Sequence, residues 1–297
     1  MNSIFNIFYL MRPHHWIKNL LIFIPITLSN NNLDIDNLFN LLLTFISMSL
    51  CASSIYILND IFDKKDDQLH PQKKNRPYAK GKISTIFALF IFLVLFVISL
   101  FLVSFIDNNL IYILLVYLLL NIFYSYILKK IYLLDIILLA FFFTFRILLG
   151  GLASDVPISF WLLAFSSSFF FSLATIKRCS ELISSNLHKN KTNLNRGYQE
   201  DDLNILFIFG VSSGYLSILI LILYSTSDNL TKYYDSYLFL GLVVLIVFYW
   251  LNRLWLITHR KKMIYDPIIF ALKDKVSIFL GLLLIFLFVI SKNSYLL

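Results

Sequence analysis

Asn59, Asp60, Asp63 and Asp67 form the pattern N-D-x-x-D-x-x-x-D, and a set of cations follows in Lys73, Lys74, Arg76, Lys80 and Lys82. The motif stands where a run of about 20 apolar residues, enough to cross a bilayer, has just ended. Steps of three and four bring Asp60, Asp63 and Asp67 onto one face if the helix continues through the motif. Carboxylates that close repel one another. A hard divalent cation such as Mg2+ removes the repulsion and bridges to phosphate oxygens. Arg76 offers phosphate a bidentate fork. Asp66, about 100° around the helix from Asp67, reads as a solvated neighbour. Pro71, Pro77 and Gly81 stop the helix and set an extended turn, in which His70 either meets a phosphate or carboxylate or caps the turn. The combined chemistry is that of a diphosphate site. The plainer alternative is a solvated helix cap trailed by positive anchors. The density of the acidic set argues against it for the motif as a whole, whereas for Lys73, Lys74, Lys80 and Lys82 taken singly the anchor reading is the stronger.

The elements that must hold this motif are membrane spans. Of 297 residues, 59% are hydrophobic, and the mean hydropathy is +0.78, against an apolar share of about 45–50% in soluble domains. Apolar windows of spanning length fall near 17–30, 38–58, 84–106, 110–128, 133–153, 160–177, 204–226, 236–257 and 276–293, which makes nine. The expected fold is therefore all-α and polytopic, one domain over residues 1–297. Lys and Arg concentrate in 59–82, 129–132, 177–203 and 258–275 and beside Arg12 and Lys18, whereas the alternate connections hold only Lys232. By the positive-inside rule the basic loops and the N-terminus are cytoplasmic. The net charge of +8 marks topology first, and favours anionic headgroups and phosphorylated substrates second. Because the basic residues are split among short loops, nucleic acid is a poor partner. Met1 to Leu10 lacks the charged start and small-residue cleavage site of a removable signal peptide. Cys51 lies in an apolar run and Cys179 at an expected loop start, and neither makes a metal-ligand spacing. Arg146 is the one cation well inside an expected span. It needs an anion there: an acceptor's phosphate, or Asp135 as a structural partner. Gly150 and Gly151 allow close helix approach or end the helix. Asp201 and Asp202 read as a helix cap, and the glycosylation triplet at Asn229 and Thr231 as meaningless.

Three stretches carry a family likeness: Arg12-Pro13-His14-His15-Trp16-Ile-Lys18-Asn19; the aspartate motif running on into His70-Pro71-x-Lys73-x-x-Arg76-Pro77-x-Ala79-x-Gly81; and Lys177-Arg178-x-x-Glu181. On these the chain resembles the UbiA-type intramembrane prenyltransferase superfamily, and more narrowly its decaprenyl-phosphate phosphoribosyltransferase branch. The resemblance extends over essentially the whole chain and implies a UbiA-like helix bundle in a bacterial inner membrane. It also implies an Mg2+-dependent enzyme that moves 5-phosphoribose from 5-phosphoribosyl 1-diphosphate to a polyprenyl phosphate, for cell-envelope glycan precursors. Asp60, Asp63 and Asp67 are then the metal ligands. Asp60, Asp63 and Asn59 form the catalytic set, with Asn59 orienting a carboxylate or bonding a phosphate.

Superfamily members that use a lipid diphosphate usually carry a second aspartate cluster where this chain has Lys177, Arg178 and Glu181. A phosphoribosyl donor bears a further phosphate on C5, which Lys177 and Arg178 suit, with Glu181 orienting them or bonding a ribose hydroxyl. Arg12, Lys18, Arg76 or Arg146 would hold the acceptor phosphate, and Lys73 belongs to the same cationic stretch. A Tyr–Lys pair at the end of the fourth span is either Tyr124 with Lys129 or Tyr126 with Lys130. Arg253, Arg260 and Asp266-Pro267 also look like the branch, without an assigned role. The alternatives are prenyl transfer from a polyprenyl diphosphate to an aromatic or other small acceptor, which leaves Lys177 and Arg178 unexplained, and a transporter. Against the transporter, the charges cluster at cytoplasmic ends rather than at the midplane.

Overall fold

The computed structural model describes residues 2–29, 34–69, 73–187, 197–225, 237–263 and 266–292, and among these it is helical with no strand. In chain order the helices are α1 (Asn2–Met11), α2 (Ile24–Leu28), α3 (Ile35–Phe62), α4 (Lys64–Leu69), α5 (Thr85–Ser104), α6 (Asn108–Tyr126), α7 (Leu134–Ala153), α8 (Phe160–Leu187), α9 (Leu203–Ser225), α10 (Tyr237–His259), α11 (Pro267–Lys273) and α12 (Lys275–Lys292). A 3₁₀ segment, Pro13–Phe23, joins α1 to α2. Seven of these helices are long and apolar enough to cross a membrane, and Lys275–Leu287 is a shorter apolar helix. Contacts divide the chain into two compact units: Met1–Asp135, Phe145–Ile158 and Thr192–Gly197 in one, and Ile136–Thr144, Ser159–Lys191 and Tyr198–Leu297 in the other.

Two expectations about the spans need correction. The window 17–30 is not one α-helix but the 3₁₀ segment followed by α2. Pro13 starts the first and Pro25 sits in the first turn of the second, where a missing N–H is tolerated. The 3₁₀ rise of about 2.0 Å per residue, with about 1.5 Å for the α part, lets this stretch reach roughly 30 Å all the same. The sixth span does not end at residue 177 but runs to Leu187. Its helix carries on through the charged residues because Leu182 and Ile183 stay buried and Arg178 pairs with Glu181 one turn on. Lys177, Arg178, Cys179 and Glu181 therefore lie on the body of α8 rather than at its end.

In the first unit, α3 packs along α5. Leu10, Ile57, Tyr78, Ile83, Ala88, Ile91 and Leu95 form a common core. Small residues permit close approach: the Ser47 hydroxyl donates to the Ser99 carbonyl at 2.8 Å. The outer face of α5 leaves Phe90, Leu93, Val97 and Phe101 more than half exposed, as suits a helix solvated by lipid. Its start is fixed by Ser84, whose hydroxyl accepts the Phe87 N–H at 3.3 Å. Gly81, with φ +72, makes the left-handed turn that brings the chain back to α5. A Cβ on Gly150 of α7 would collide with the backbone of Ile22, so glycine lets α7 lie directly against the 3₁₀ segment.

In the second unit, α8 packs along α9. Arg253 on α10 forks onto Asp274 at 2.6 and 2.9 Å. Asp274 in turn caps α12 by accepting the Ser277 N–H at 2.8 Å and hydroxyl at 2.7 Å. The bonds from Arg253 first, then those from Ser277, hold the Asp274 carboxyl below the usual carboxylate value.

Two measurements of thermal unfolding in detergent check these contacts. Gly150→Ala forces backbone apart and should cost about 1–3 kcal/mol, while Gly241→Ala, with open space around it, should leave the midpoint unchanged; equal midpoints would refute the close approach. Because the folded pKa of Asp274 is depressed, its stabilisation is complete above the ordinary carboxylate pKa of about 3.9 and fades as pH falls through the lower folded value. Asp274→Asn should lower stability at neutral pH and lose less of it on acidification than the wild type does.

Candidate active site

The last turn of α3 delivers Asn59 and Asp60, and the helix then stops. Asp63 takes a turn conformation (φ −92, ψ 10) between α3 and α4. The backbone stays bonded across the break, Asp63 N–H to the Asn59 carbonyl at 2.9 Å and Asp67 N–H to the Asp63 carbonyl at 2.8 Å. The expectation of three aspartates on one uninterrupted helical face is thereby corrected. Asp60 and Asp67, each 3% exposed, turn to a common cation, whereas Asp63 turns to another. Arg76 Nη1 donates to Asp60 Oδ1 at 3.0 Å and to Asp67 Oδ2 at 2.5 Å. Lys129 Nζ donates to Asp63 Oδ1 at 2.5 Å. Arg12 Nη2 donates to the same Asp60 oxygen as Arg76. Three carboxylates are thus matched by three cations, one from each of three separate stretches of chain.

A polar ladder along α3 sets Arg12 in place. Ser49, Ser53, Tyr56 and Asp60 recur at steps of four, three and four, one face of the helix. Asn19 donates its amide to Ser49 at 3.0 Å, and the Trp16 indole donates to Ser53 at 2.9 Å. The His15 ring lies 5.1 Å from that of Tyr56, and the Arg12 guanidinium lies 5.1 Å above the same ring before reaching Asp60. Arg12 itself adopts the left-handed region (φ 51) that turns α1 into the 3₁₀ segment. Burial lowers its pKa, with Asp60 the main opposing influence. From sequence alone Arg12 stands only as one option for an acceptor phosphate. The signal available was the spacing of polar residues on α3, an otherwise apolar helix.

The other expected residues are placed as follows. Arg146, 5% exposed, donates from Nε to Asn19 Oδ1 at 2.7 Å and from Nη2 to the Tyr117 hydroxyl at 3.2 Å. It braces the 3₁₀ segment from inside. Asp135 lies eleven residues earlier on α7, about 16 Å along the axis, so it is not the partner of Arg146. Asp135 accepts the Tyr124 hydroxyl at 2.8 Å. Of the two Tyr–Lys alternatives, Tyr124 and Lys129 turn inward, while Tyr126 is 66% exposed and Lys130 is exposed. Lys18 is buried on the 3₁₀ segment. Asn59 is half-buried, and Asp66, Lys73, Lys74, Lys80 and Lys82 are exposed. His70, Pro71 and Lys232, like the triplet at Asn229 and Thr231, fall outside the described residues.

In the second unit, Arg178 is fully buried and donates to Glu181 Oε2 at 2.6 Å. Lys177 is more open and lies 3.6 Å from Asp266, which also caps α11 by accepting the Ile268 N–H. Asp202 takes part in a reciprocal cap with Gln199 before α9.

Among the described residues no three acidic, histidine or cysteine side chains converge on one point as a ready metal cage. The donor set is nonetheless of the right chemistry: hard carboxylate oxygens suit Mg2+, and one positive atom already stands between those of Asp60 and Asp67.

Residues 20–265 match the UbiA prenyltransferase family, and the chain belongs to that family. It is 32% identical over 285 residues to nodulation protein NoeC of Azorhizobium caulinodans, covering 95% of this chain and 92% of that one. It is 34% identical over 282 residues to y4nM of Sinorhizobium fredii, where it spans only about half (55%) of the relative's length. A decaprenyl-phosphate phosphoribosyltransferase of Mycolicibacterium smegmatis is 34% identical over 179 residues, 58% of this chain and 55% of that enzyme. The fold is shared with a UbiA homologue from Archaeoglobus fulgidus solved with DMAPP and Mg2+ (TM-score 0.71, 14% identity, 97% of this chain and 99% of that one). The chain is accordingly an integral membrane protein of a transferase family.

A double-mutant cycle on thermal stability checks the bridge. Arg76→Gln and Asp67→Asn should each destabilise, and together by less than their sum, with a coupling of about 0.5–3 kcal/mol. Strict additivity would show that the two side chains do not act on each other.

Proposed function

We propose that the chain transfers 5-phosphoribose from 5-phosphoribosyl 1-diphosphate to a polyprenyl phosphate and releases diphosphate. The observation that carries this reading is the interleaving of Asp60, Asp63 and Asp67 with Arg12, Arg76 and Lys129 at one end of apolar helices. A magnesium diphosphate asks for both kinds of group, carboxylates for the metal and cationic donors for the phosphate oxygens. The likeness to the phosphoribosyltransferase over 58% of the chain and the cations Lys177 and Arg178 favour a phosphoribosyl over a prenyl donor.

Asp60, Asp63 and Asp67 would hold Mg2+, which when bound supplies charge neutralisation for the departing diphosphate. Lys129 would offer its remaining N–H groups to oxygens of the leaving diphosphate, and the Asn59 amide would donate to the same group, while Arg12 and Arg76 stay with Asp60. Lys73, at the exposed mouth, attracts the donor. A C5 phosphate asks for a cationic group of its own, for which the chain offers Lys177 and the Glu181-bonded Arg178. Tyr124, through Asp135, steadies the end of α6, just before the short 3₁₀ turn Leu128–Lys130 that carries Lys129. In the reaction the C1–O bond to diphosphate breaks and its electron pair leaves with diphosphate. An oxygen of the lipid phosphate forms the new C1–O bond. That phosphate is already anionic, so no general base is required. The positive-inside pattern supports a site on the cytoplasmic face, and the family likeness supports a bacterial inner membrane with a product that feeds cell-envelope glycan synthesis.

The test uses purified protein with Mg2+, radiolabelled phosphoribosyl diphosphate and a polyprenyl monophosphate. Label should pass into the organic phase, be lost with EDTA, and fall by at least about 10²-fold in Asp60→Asn and Asp63→Asn. Near-normal turnover in both variants would remove the metal role. Turnover only with a polyprenyl diphosphate and an aromatic acceptor would reassign the donor.

A further inference from the structure

The helix α1 has a task that neither the aspartate motif nor the family likeness accounts for. Asn2–Met11 contains no charged residue. Leu10 is 1% exposed and anchors it in the core, yet Phe5, Phe8 and Tyr9 are 73%, 57% and 53% exposed. At steps of three and four these rings share a face, and they form one wall of a cleft of about 380 Å3. The cleft's other lining includes Arg12, His14 and Arg76. The two guanidiniums bond their carboxylates through one terminal nitrogen each, Nη2 of Arg12 and Nη1 of Arg76. A guanidinium has five N–H donors, so each retains donors for a further acceptor on the cleft side.

An aromatic wall facing a pair of arginines selects a molecule with an apolar chain and an anionic head. The cleft is at the small end of the roughly 300–1,000 Å3 usual for ligand sites, enough for a headgroup and the start of a chain whose remainder lies in the bilayer. We infer that this cleft seats the lipid monophosphate acceptor, its phosphate on Arg12 and Arg76 and the first units of its chain along Phe8, Phe5 and Tyr9. The inference rests on the proposed function only for what the bound phosphate then does. Since both arginines also reach Asp60, the acceptor's oxygen is delivered beside the carboxylates proposed to hold the donor.

Full-length protein in phospholipid nanodiscs is labelled with a polyprenyl monophosphate that carries a diazirine on the unit next to its phosphate. The expected cross-links map to residues 5–15. Unlabelled polyprenyl monophosphate should compete, while inorganic phosphate, the uncharged polyprenol and excess phosphatidylglycerol should not. The double substitution Phe5→Ala and Phe8→Ala, at exposed positions, should reduce labelling about tenfold; where transfer is observed, it should raise KM for the lipid and leave KM for the donor unchanged. Cross-links confined to other helices, equal competition by phosphatidylglycerol, or undiminished labelling of the double variant would each overturn the assignment. Labelling at residues 5–15 without phosphoribosyl transfer would refute the donor reading and leave the cleft standing. Transfer with an unchanged KM for the lipid in the double variant would do the reverse.

Discussion

The arrangement turns on one guanidinium nitrogen shared by two buried carboxylates. Asp60 and Asp67 stand where water is scarce, and two like charges there are tolerable only with positive charge between them. Arg76 provides it from a separate turn, at 3.0 and 2.5 Å. That requirement fixes where Arg76 must stand, in a turn where its N–H bonds the Lys73 carbonyl at 2.9 Å and its carbonyl accepts the Lys80 N–H at 3.0 Å. It also ties α1 and the 3₁₀ segment to α3, since Arg12 completes the charge on Asp60. Lys129 does the same for Asp63 and thereby ties the end of α6 to the break after α3. The ion pairs of Asp60, Asp63 and Asp67 converge on a point of charge balance, and the apolar core of the first unit packs beside it.

Much of this could be read before any coordinates. Hydropathy locates the long helices to within a few residues, because a bilayer demands unbroken apolar runs and satisfied backbone. It fails in two instructive places. At residues 13–23 the chain, entered at Pro13, takes 3₁₀ rather than α geometry, which an apolar window does not register. At Lys177 the window ends with the apolar residues, but the helix does not, since an ion pair and two buried aliphatics carry it on to Leu187.

The site was legible in composition and not in pairing. Asp60, Asp63, Asp67 and Arg76 announce themselves by density within 17 positions. Which cation meets which carboxylate is set by partners 48 and 66 residues apart in the chain, and helix packing decides that. Arg146 is legible as a buried cation that needs partners, but not which ones: among them are a neutral amide and a phenol, through which it supports the 3₁₀ segment that follows Arg12.

The 3₁₀ geometry of Pro13–Phe23 has a consequence for how this region can vary. With three residues per turn, side chains three apart stand in a straight row, and Pro13, Trp16 and Asn19 form such a row, the last two bonded to the α3 ladder. Exchange of one side chain in it weakens a single rung. Insertion or deletion of one residue between Arg12 and Asn19 instead rotates everything beyond it by about 120°, so either Asn19 loses Ser49 or Arg12 loses Asp60. The segment thus acts as a ruler, tolerant of changes in spelling and intolerant of changes in length.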